Sequence, residues 1–233
     1  MKFEAKVTRI ESGEGNLVGL GNLIFGEKEF VVTGVAICKG EKDLYVSFPA
    51  YPTKKTDESG KTIYKDFCHP ITKEFREALN DAFIEAYVIN DTPAVYENGE
   101  KNAGFNFKVS VTPFTKEGSS LVGIGKVTID DSFVINNISI MDGEKGLFVK
   151  MPNKLRVDEA GENKYKDICF PGTAESRELI FAEILKEYEK VKNKKEEIES
   201  EKKFHKVESA PLPVQAEKEK EVAADTKKKS KSR

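Results

Sequence analysis

The sequence has no tryptophan, only two histidines and only three cysteines among its 233 residues. Cys38, Cys68 and Cys169 are widely spaced, which excludes a zinc-ligand pattern, argues against a disulfide framework and indicates a reducing cytoplasm. No apolar run approaches the roughly 20 residues that a membrane-spanning helix needs, and the alternating polarity of residues 1–6 lacks the apolar centre of a secretory signal. We therefore expect a soluble cytoplasmic protein with no membrane partner, no metal and no cofactor.

What the sequence does contain is an internal repeat. Leu-Val-Gly-Leu-Gly at residues 17–21 returns as Leu-Val-Gly-Ile-Gly at 121–125, and Tyr-Lys-Asp at 64–66 returns at 165–167. Two copies are too few for a solenoid, which needs about three stacked units. Because most homo-oligomers are two-fold dimers, the duplication predicts an intramolecular pseudo-dimer of the two copies.

Each copy predicts an α+β unit in which four strands precede one helix. The predicted strands cover residues 3–10, 17–25, 29–38 and 44–48, and again 105–114, 121–129, 132–141 and 147–151. Short turns between the strands indicate an antiparallel meander, and Pro49 and Pro152 end the fourth strand of each copy. Thr72 and Thr173 are predicted N-caps of the helices.

Composition divides the chain into four segments. Residues 1–89 and 105–191 are the two repeats, and residues 90–104, with a proline and several glycine and asparagine residues, are predicted to be a linker. Residues 192–233 are predicted to be a charged helical extension followed by a disordered basic tail, because the tail has almost no large apolar residue to bury. This last segment is basic, whereas the rest of the chain is acidic overall.

No arrangement of side chains indicates catalysis. His69 is matched by Phe170 in the second copy, so a packing role is favoured over a chemical one. Cys68 and Cys169 match each other and are expected to be buried thiols. The glycine motif at residues 17–21 lacks the rest of a phosphate-binding loop and indicates close backbone packing. An enzyme is thus the least favoured class, and no small-molecule substrate is expected.

The remaining candidate is the polar stretch after the fourth strand of each copy. Its cations can neutralise phosphates, and its aromatic rings can stack on unpaired bases. Acidic residues in the same stretches leave a solvated loop of balanced charge as the alternative. The candidate nucleic-acid-binding residues are Lys54, Lys55, Lys61, Tyr64 and Lys65 in the first copy and Lys150, Lys154, Arg156, Lys164, Tyr165 and Lys166 in the second.

The second copy closely resembles the SpoVG family of stage V sporulation and septation regulators. The resemblance is carried by the segments 142–152 and 165–171, and the first copy matches more loosely through 30–32 and 64–70. It implies a small α+β unit that dimerises and binds DNA or RNA site-selectively in the control of gene expression, septation and sporulation. It also implies that the basic segment between the last strand and the helix carries the binding.

Residues 50–53 of the first copy, Ala-Tyr-Pro-Thr, depart from Asn-Lys-Leu-Arg at 153–156 of the second. We therefore expect the second copy to bind and the first to serve as its dimerisation partner. The predicted function is a bacterial nucleic-acid-binding regulator, with DNA and RNA both open as ligands and further self-association open. The alternative is a protein-interaction module in which the basic tip at 227–233 attracts polyanions incidentally.

Overall fold

The computed structural model describes residues 1–10, 15–89, 93–97, 105–157 and 161–208. The elements of the first repeat are β1 (Lys2–Arg9), β2 (Leu17–Phe25), β3 (Phe30–Lys39), β4 (Leu44–Ser47), β5 (Ala50–Thr56), β6 (Thr62–Asp66), β7 (Cys68–Pro70) and α1 (Lys73–Ile89). After β8 (Ala94–Glu97), the second repeat has β9 (Phe107–Pro113), β10 (Leu121–Ile129), β11 (Phe133–Gly143), β12 (Gly146–Lys150), β13 (Asn153–Val157), β14 (Asn163–Asp167), β15 (Cys169–Pro171) and α2 (Ala174–Glu208).

Each repeat builds an antiparallel meander followed by a helix, which confirms the predicted α+β class. In the first sheet the strand order is β8, β1, β2, β3, and in the second it is β9, β10, β11. The strands β4 and β12 complete the two meanders by pairing with β3 and β11. The predicted strands agree with these elements to within a few residues, since alternating Val, Ile, Leu and Phe residues dominate both.

The two repeats exchange short strands. The strand β7 of the first repeat pairs with β11 of the second, with Cys68 opposite Ile135. In return β15 of the second repeat pairs with β3 of the first, with Cys169 opposite Val32. Each sheet is therefore completed by a strand of the other repeat, which confirms the intramolecular pseudo-dimer.

A bulge marks the point at which the edge partner of the third strand changes. Gly34 in β3 lies between the part that pairs with β15 and the part that pairs with β4, and Asn137 holds the same place in β11. Their φ angles are 75° and 64°, in the left-handed region where glycine and asparagine are the favoured residues. The bulge lets one continuous strand accept two edge partners.

The apolar side chains of both repeats form a single core. Phe133 of the second repeat lies between three phenylalanines of the first, with ring centroids 5.1 Å from Phe25, 5.6 Å from Phe48 and 6.3 Å from Phe75. All four rings belong to the same buried cluster. Because repeats of this size bury little core alone, sharing one core stabilises both.

The two matched thiols lie within this shared core. Cys68 and Cys169 are fully buried, which confirms the prediction of buried thiols. Burial raises the pKa of Cys68 well above its usual range, and a hydrogen bond with Cys169 raises it further. The two thiols pack as small apolar side chains where the two exchanged strands meet.

Both helices begin at the predicted threonine caps. The N–H of Phe75 donates to Oγ1 of Thr72 at 3.2 Å, and the N–H of Ser176 donates to Oγ1 of Thr173 at 3.1 Å. The glycine motif brings the sheets close to the helices: a Cβ added at Gly21 would lie 2.7 Å from the ring of Phe83. No helix among the described residues is long and apolar enough to cross a membrane.

The structure contains strands in segments that the sequence predicted to be irregular. The polar stretches after β4 and β12, expected to be loops, form the hairpins β5–β6 and β13–β14, because cross-strand hydrogen bonds rather than burial hold them. Within the predicted linker, Ala94–Glu97 forms β8 and pairs with β1. The predicted disordered tail lies outside the described residues from 209 onwards.

Candidate functional site

The strand register of the second hairpin places four cations on one face. In β13–β14, Lys154 is directly opposite Lys166, and Arg156 is directly opposite Lys164. Directly opposed residues share a face, and so do residues two apart in a strand. Lys154, Arg156, Lys164 and Lys166 therefore form one group, called here the cationic face.

The cationic face is electrostatically unfavourable in the free protein. Like charges directly opposed across two antiparallel strands destabilise the pairing. Burial lowers the pKa of Lys154, and the nearby charge of Arg156 lowers it further. Glu162 offsets part of the repulsion through an ion pair with Lys164, 3.4 Å between Nζ and Oε2. A bound anion would relieve the remaining repulsion between the cations.

The cationic face is held against the first repeat. Nζ of Lys154 lies 5.6 Å from the ring centroid of Phe67, a cation–π contact. Nη2 of Arg156 reaches the bulge of β3, 3.5 Å from the position that a Cβ on Gly34 would occupy. The hairpin of one repeat thus lies over the sheet of the other, and the first repeat positions the cations of the second.

The opposite face of the second hairpin is apolar and open to solvent. Leu155, Val157 and Tyr165 are 52%, 66% and 70% exposed. Nζ of Lys150, at the end of β12, lies 5.3 Å from the ring centroid of Tyr165. The six candidate residues of the second copy are therefore brought together on one hairpin and its base.

The first hairpin does not reproduce this arrangement. The positions that correspond to Lys154, Arg156, Lys164 and Lys166 are occupied by Tyr51, Thr53, Ile63 and Lys65, so one cation replaces four.

The other candidates of the first copy lie towards the end of its hairpin. A register shift separates Pro52 from Thr56, and Lys54, Lys55 and Lys61 lie at or beyond this shift. Lys61 belongs to the turn, where its N–H donates to Oδ1 of Asp57 at 2.9 Å. Tyr64 is exposed and directly opposite Pro52.

Between the first hairpin and the second sheet lies a groove of about 480 Å³ that sequence reasoning missed. Its first-repeat side is formed by Tyr51, Lys65, Asp66 and His69. Its second-repeat side is formed by Ser110, Thr112, Ile124, Gly125, Lys126, Asn136 and Asn137. The sequence signal for it was the match of Asn137 to Gly34, since a Gly–Asn exchange is typical of a left-handed backbone position next to a bulge.

His69 borders this groove as a neutral side chain. Burial lowers its pKa, which Asp66 raises in part and Arg76 and Lys126 lower. Its Nδ1 is buried with no hydrogen-bond partner among the described residues, in keeping with the packing role predicted from Phe170. Within the part of the chain that the structure describes, no three His, Cys, Asp or Glu side chains gather as metal ligands would.

Comparison with known proteins matches these two repeats to one family. A family model named SpoVG matches residues 1–88 and 106–190. The septation protein SpoVG of Clostridium acetobutylicum is 40% identical over 88 residues, which cover 38% of this chain and 87% of the relative. The septation protein SpoVG of Clostridium perfringens is 39% identical over 85 residues, which cover 36% of this chain and 89% of the relative. The chain belongs to the SpoVG family and carries two SpoVG units in tandem.

Proposed function

We propose that this protein binds nucleic acid through the cationic face of β13–β14 and acts as a regulator in septation. The observation that carries the proposal is the register of that hairpin, which opposes Lys154 to Lys166 and Arg156 to Lys164. Four cations on one face can neutralise several phosphates of one backbone at once, which a single anionic side chain does not require. The role in septation comes from the names of the relatives.

The first repeat acts as the platform for this site. Phe67 and the bulge at Gly34 hold Lys154 and Arg156 in place, and the first hairpin has a cation at only one of the four corresponding positions. A single chain therefore presents one strong phosphate-binding face, where a symmetric dimer of identical units would present two.

Charge reversal tests the proposal. Lys154→Glu with Arg156→Glu is expected to reduce the affinity for labelled nucleic acid at least a hundredfold, since two phosphate contacts become repulsive. The matched control, Lys54→Glu with Lys55→Glu, changes net charge equally and is expected to alter affinity less than about threefold. Fluorescence anisotropy at one low salt concentration measures both, and equal losses in the two variants would refute the assignment.

A further inference from the structure

The groove between the first hairpin and the second sheet adjoins the cationic face. A smaller cavity of about 320 Å³ is lined by Phe67, Asn137, Lys150 and Asn153 among others. Phe67 is the ring beneath Nζ of Lys154, so this cavity begins where the cationic face ends. Asn137 lines both the smaller cavity and the groove. The cationic face and the cavity are thus linked through Phe67, and the cavity and the groove through Asn137; the three together are called here the depression.

The chemistry changes along this depression. The cationic face offers charge alone, whereas the groove offers the amides of Asn136 and Asn137 with Lys65 and Lys126. Asparagine amides donate and accept hydrogen bonds, as the edges of nucleobases do, and lysines at the sides can reach phosphates. Tyr51, whose ring is tilted against that of Phe67 with 4.8 Å between the centroids, adds an aromatic surface. At about 480 Å³ the groove is within the size range of ligand pockets.

The sheet residues at the matching positions of the first repeat carry one amide instead of two and no lysine. Thr33 and Gly34 stand where the second repeat has Asn136 and Asn137, and Asn22 stands where it has Lys126. The two repeats thus differ in complementary ways: the four cations lie on the second hairpin, and the two neighbouring amides lie on the second sheet, opposite the hairpin that has one cation. Both differences lie along the same depression.

We propose that this depression binds one single strand of nucleic acid, with an unpaired base in the groove against Asn136 and Asn137 and the adjoining phosphates on the cationic face. The inference rests on the proposed function and specifies its ligand. A base within a duplex has its hydrogen-bonding edge engaged and its faces stacked, so it cannot enter a groove of this kind without being extruded. The protein should therefore prefer a single strand over the duplex of the same sequence.

The test exchanges the amides for the residues of the first repeat. Asn136→Thr with Asn137→Gly leaves the net charge unchanged and keeps a left-handed residue at the bulge, as Thr33 and Gly34 do in β3. The control is Asn193→Thr, which removes an exposed amide of α2 that lines neither the groove nor the cavity. Anisotropy titrations use a labelled mixed-sequence oligonucleotide, its duplex, and a nucleoside 5′-monophosphate as competitor.

The expected result is a loss of about tenfold in single-strand affinity for the amide-exchange variant, equivalent to one or two base contacts. Duplex affinity and the control variant should stay within about twofold of the unchanged protein. Unchanged single-strand affinity in the amide-exchange variant would overturn the groove assignment, while charge reversal at Lys154 and Arg156 would still test the hairpin. If the unchanged protein binds no nucleic acid, both proposals fall.

Competition by the mononucleotide distinguishes binding of a strand from binding of a free nucleotide. Competition only at millimolar concentration supports the strand, because a single nucleotide lacks the phosphates that the cationic face holds. Saturable micromolar binding of the mononucleotide that the amide exchange abolishes, without any change in oligonucleotide affinity, would overturn the strand in favour of a free nucleotide.

Discussion

Gly34 and Asn137 occupy one position in the two repeats and show how a single residue serves fold and site together. Both backbones are left-handed, with φ of 75° and 64°, at the bulge where an exchanged strand ends and the repeat's own fourth strand begins. Glycine leaves room for Arg156 of the opposite hairpin, whereas asparagine supplies an amide to the groove. Gly34 and Asn137 therefore meet the same backbone requirement with different side chains.

Substitution at Gly34 tests this backbone requirement. Gly34→Ala is expected to lower the free energy of unfolding by about 1 kcal/mol, because alanine is strained in the left-handed region. Gly34→Asn should cost clearly less, since asparagine tolerates that region. Urea unfolding followed by circular dichroism measures both, and equal losses for the two variants would show that strain is not the cause.

The sequence allows part of this residue-scale account to be predicted. Thr72 and Thr173 were identifiable as N-caps because a hydroxyl before a helix has a fixed local geometry. The groove could not be identified from the sequence, because Asn136 and Asn137 form it together with Tyr51 and Lys65, which lie far from them in the chain. Local chemistry is visible in a sequence, but the surface formed by two repeats is not.

At the scale of elements, the second hairpin carries the charge. Its strands alternate Lys154 and Arg156 with Leu155 and Val157, a period of two that is typical of a strand. The hairpin buries neither face, because Arg156, Lys164 and Lys166 are exposed on one side and Leu155, Val157 and Tyr165 on the other. Without a buried apolar face, the segment resembles a solvated loop in the sequence.

A variant that carries the first hairpin's residues tests whether the opposed cations lower the stability of the free protein. Lys154→Tyr with Arg156→Thr copies Tyr51 and Thr53 and leaves Lys164 and Lys166 without opposed cations. The free protein should gain a few tenths of a kcal/mol of stability at low salt, because two like-charged pairs are removed, and should lose affinity for nucleic acid. Thermal unfolding at low and high salt measures the gain, and a loss of stability at low salt would contradict the repulsion.

At the scale of the molecule, the exchanged strands make the repeats interdependent. Without the second repeat, β3 lacks β15, and β7 lacks β11, while the buried rings around Phe133 are exposed. The duplication in the sequence predicted that the repeats pair. It did not indicate the strand exchange, because Cys68–Pro70 and Cys169–Pro171 are too short to be recognised as strands.

An isolated first repeat should restore the exchange between two chains. Residues 1–104 are expected to form a two-fold dimer at micromolar concentration, or to unfold when diluted, since each copy can lend β7 only to another copy. Size-exclusion chromatography with light scattering gives the mass, and circular dichroism gives the fold. A folded monomer would show that one repeat needs no partner.

The most direct test of the account is the salt dependence of nucleic-acid binding by the whole chain and by residues 1–194. Binding by the four cations of the cationic face predicts a slope of log affinity against log salt of about −3 or steeper, with nearly the same affinity and slope in the truncated protein. If removal of residues 195–233 abolishes binding, or flattens the slope to near zero, the binding belongs to the basic tail, and the alternative of a protein-interaction module replaces this account.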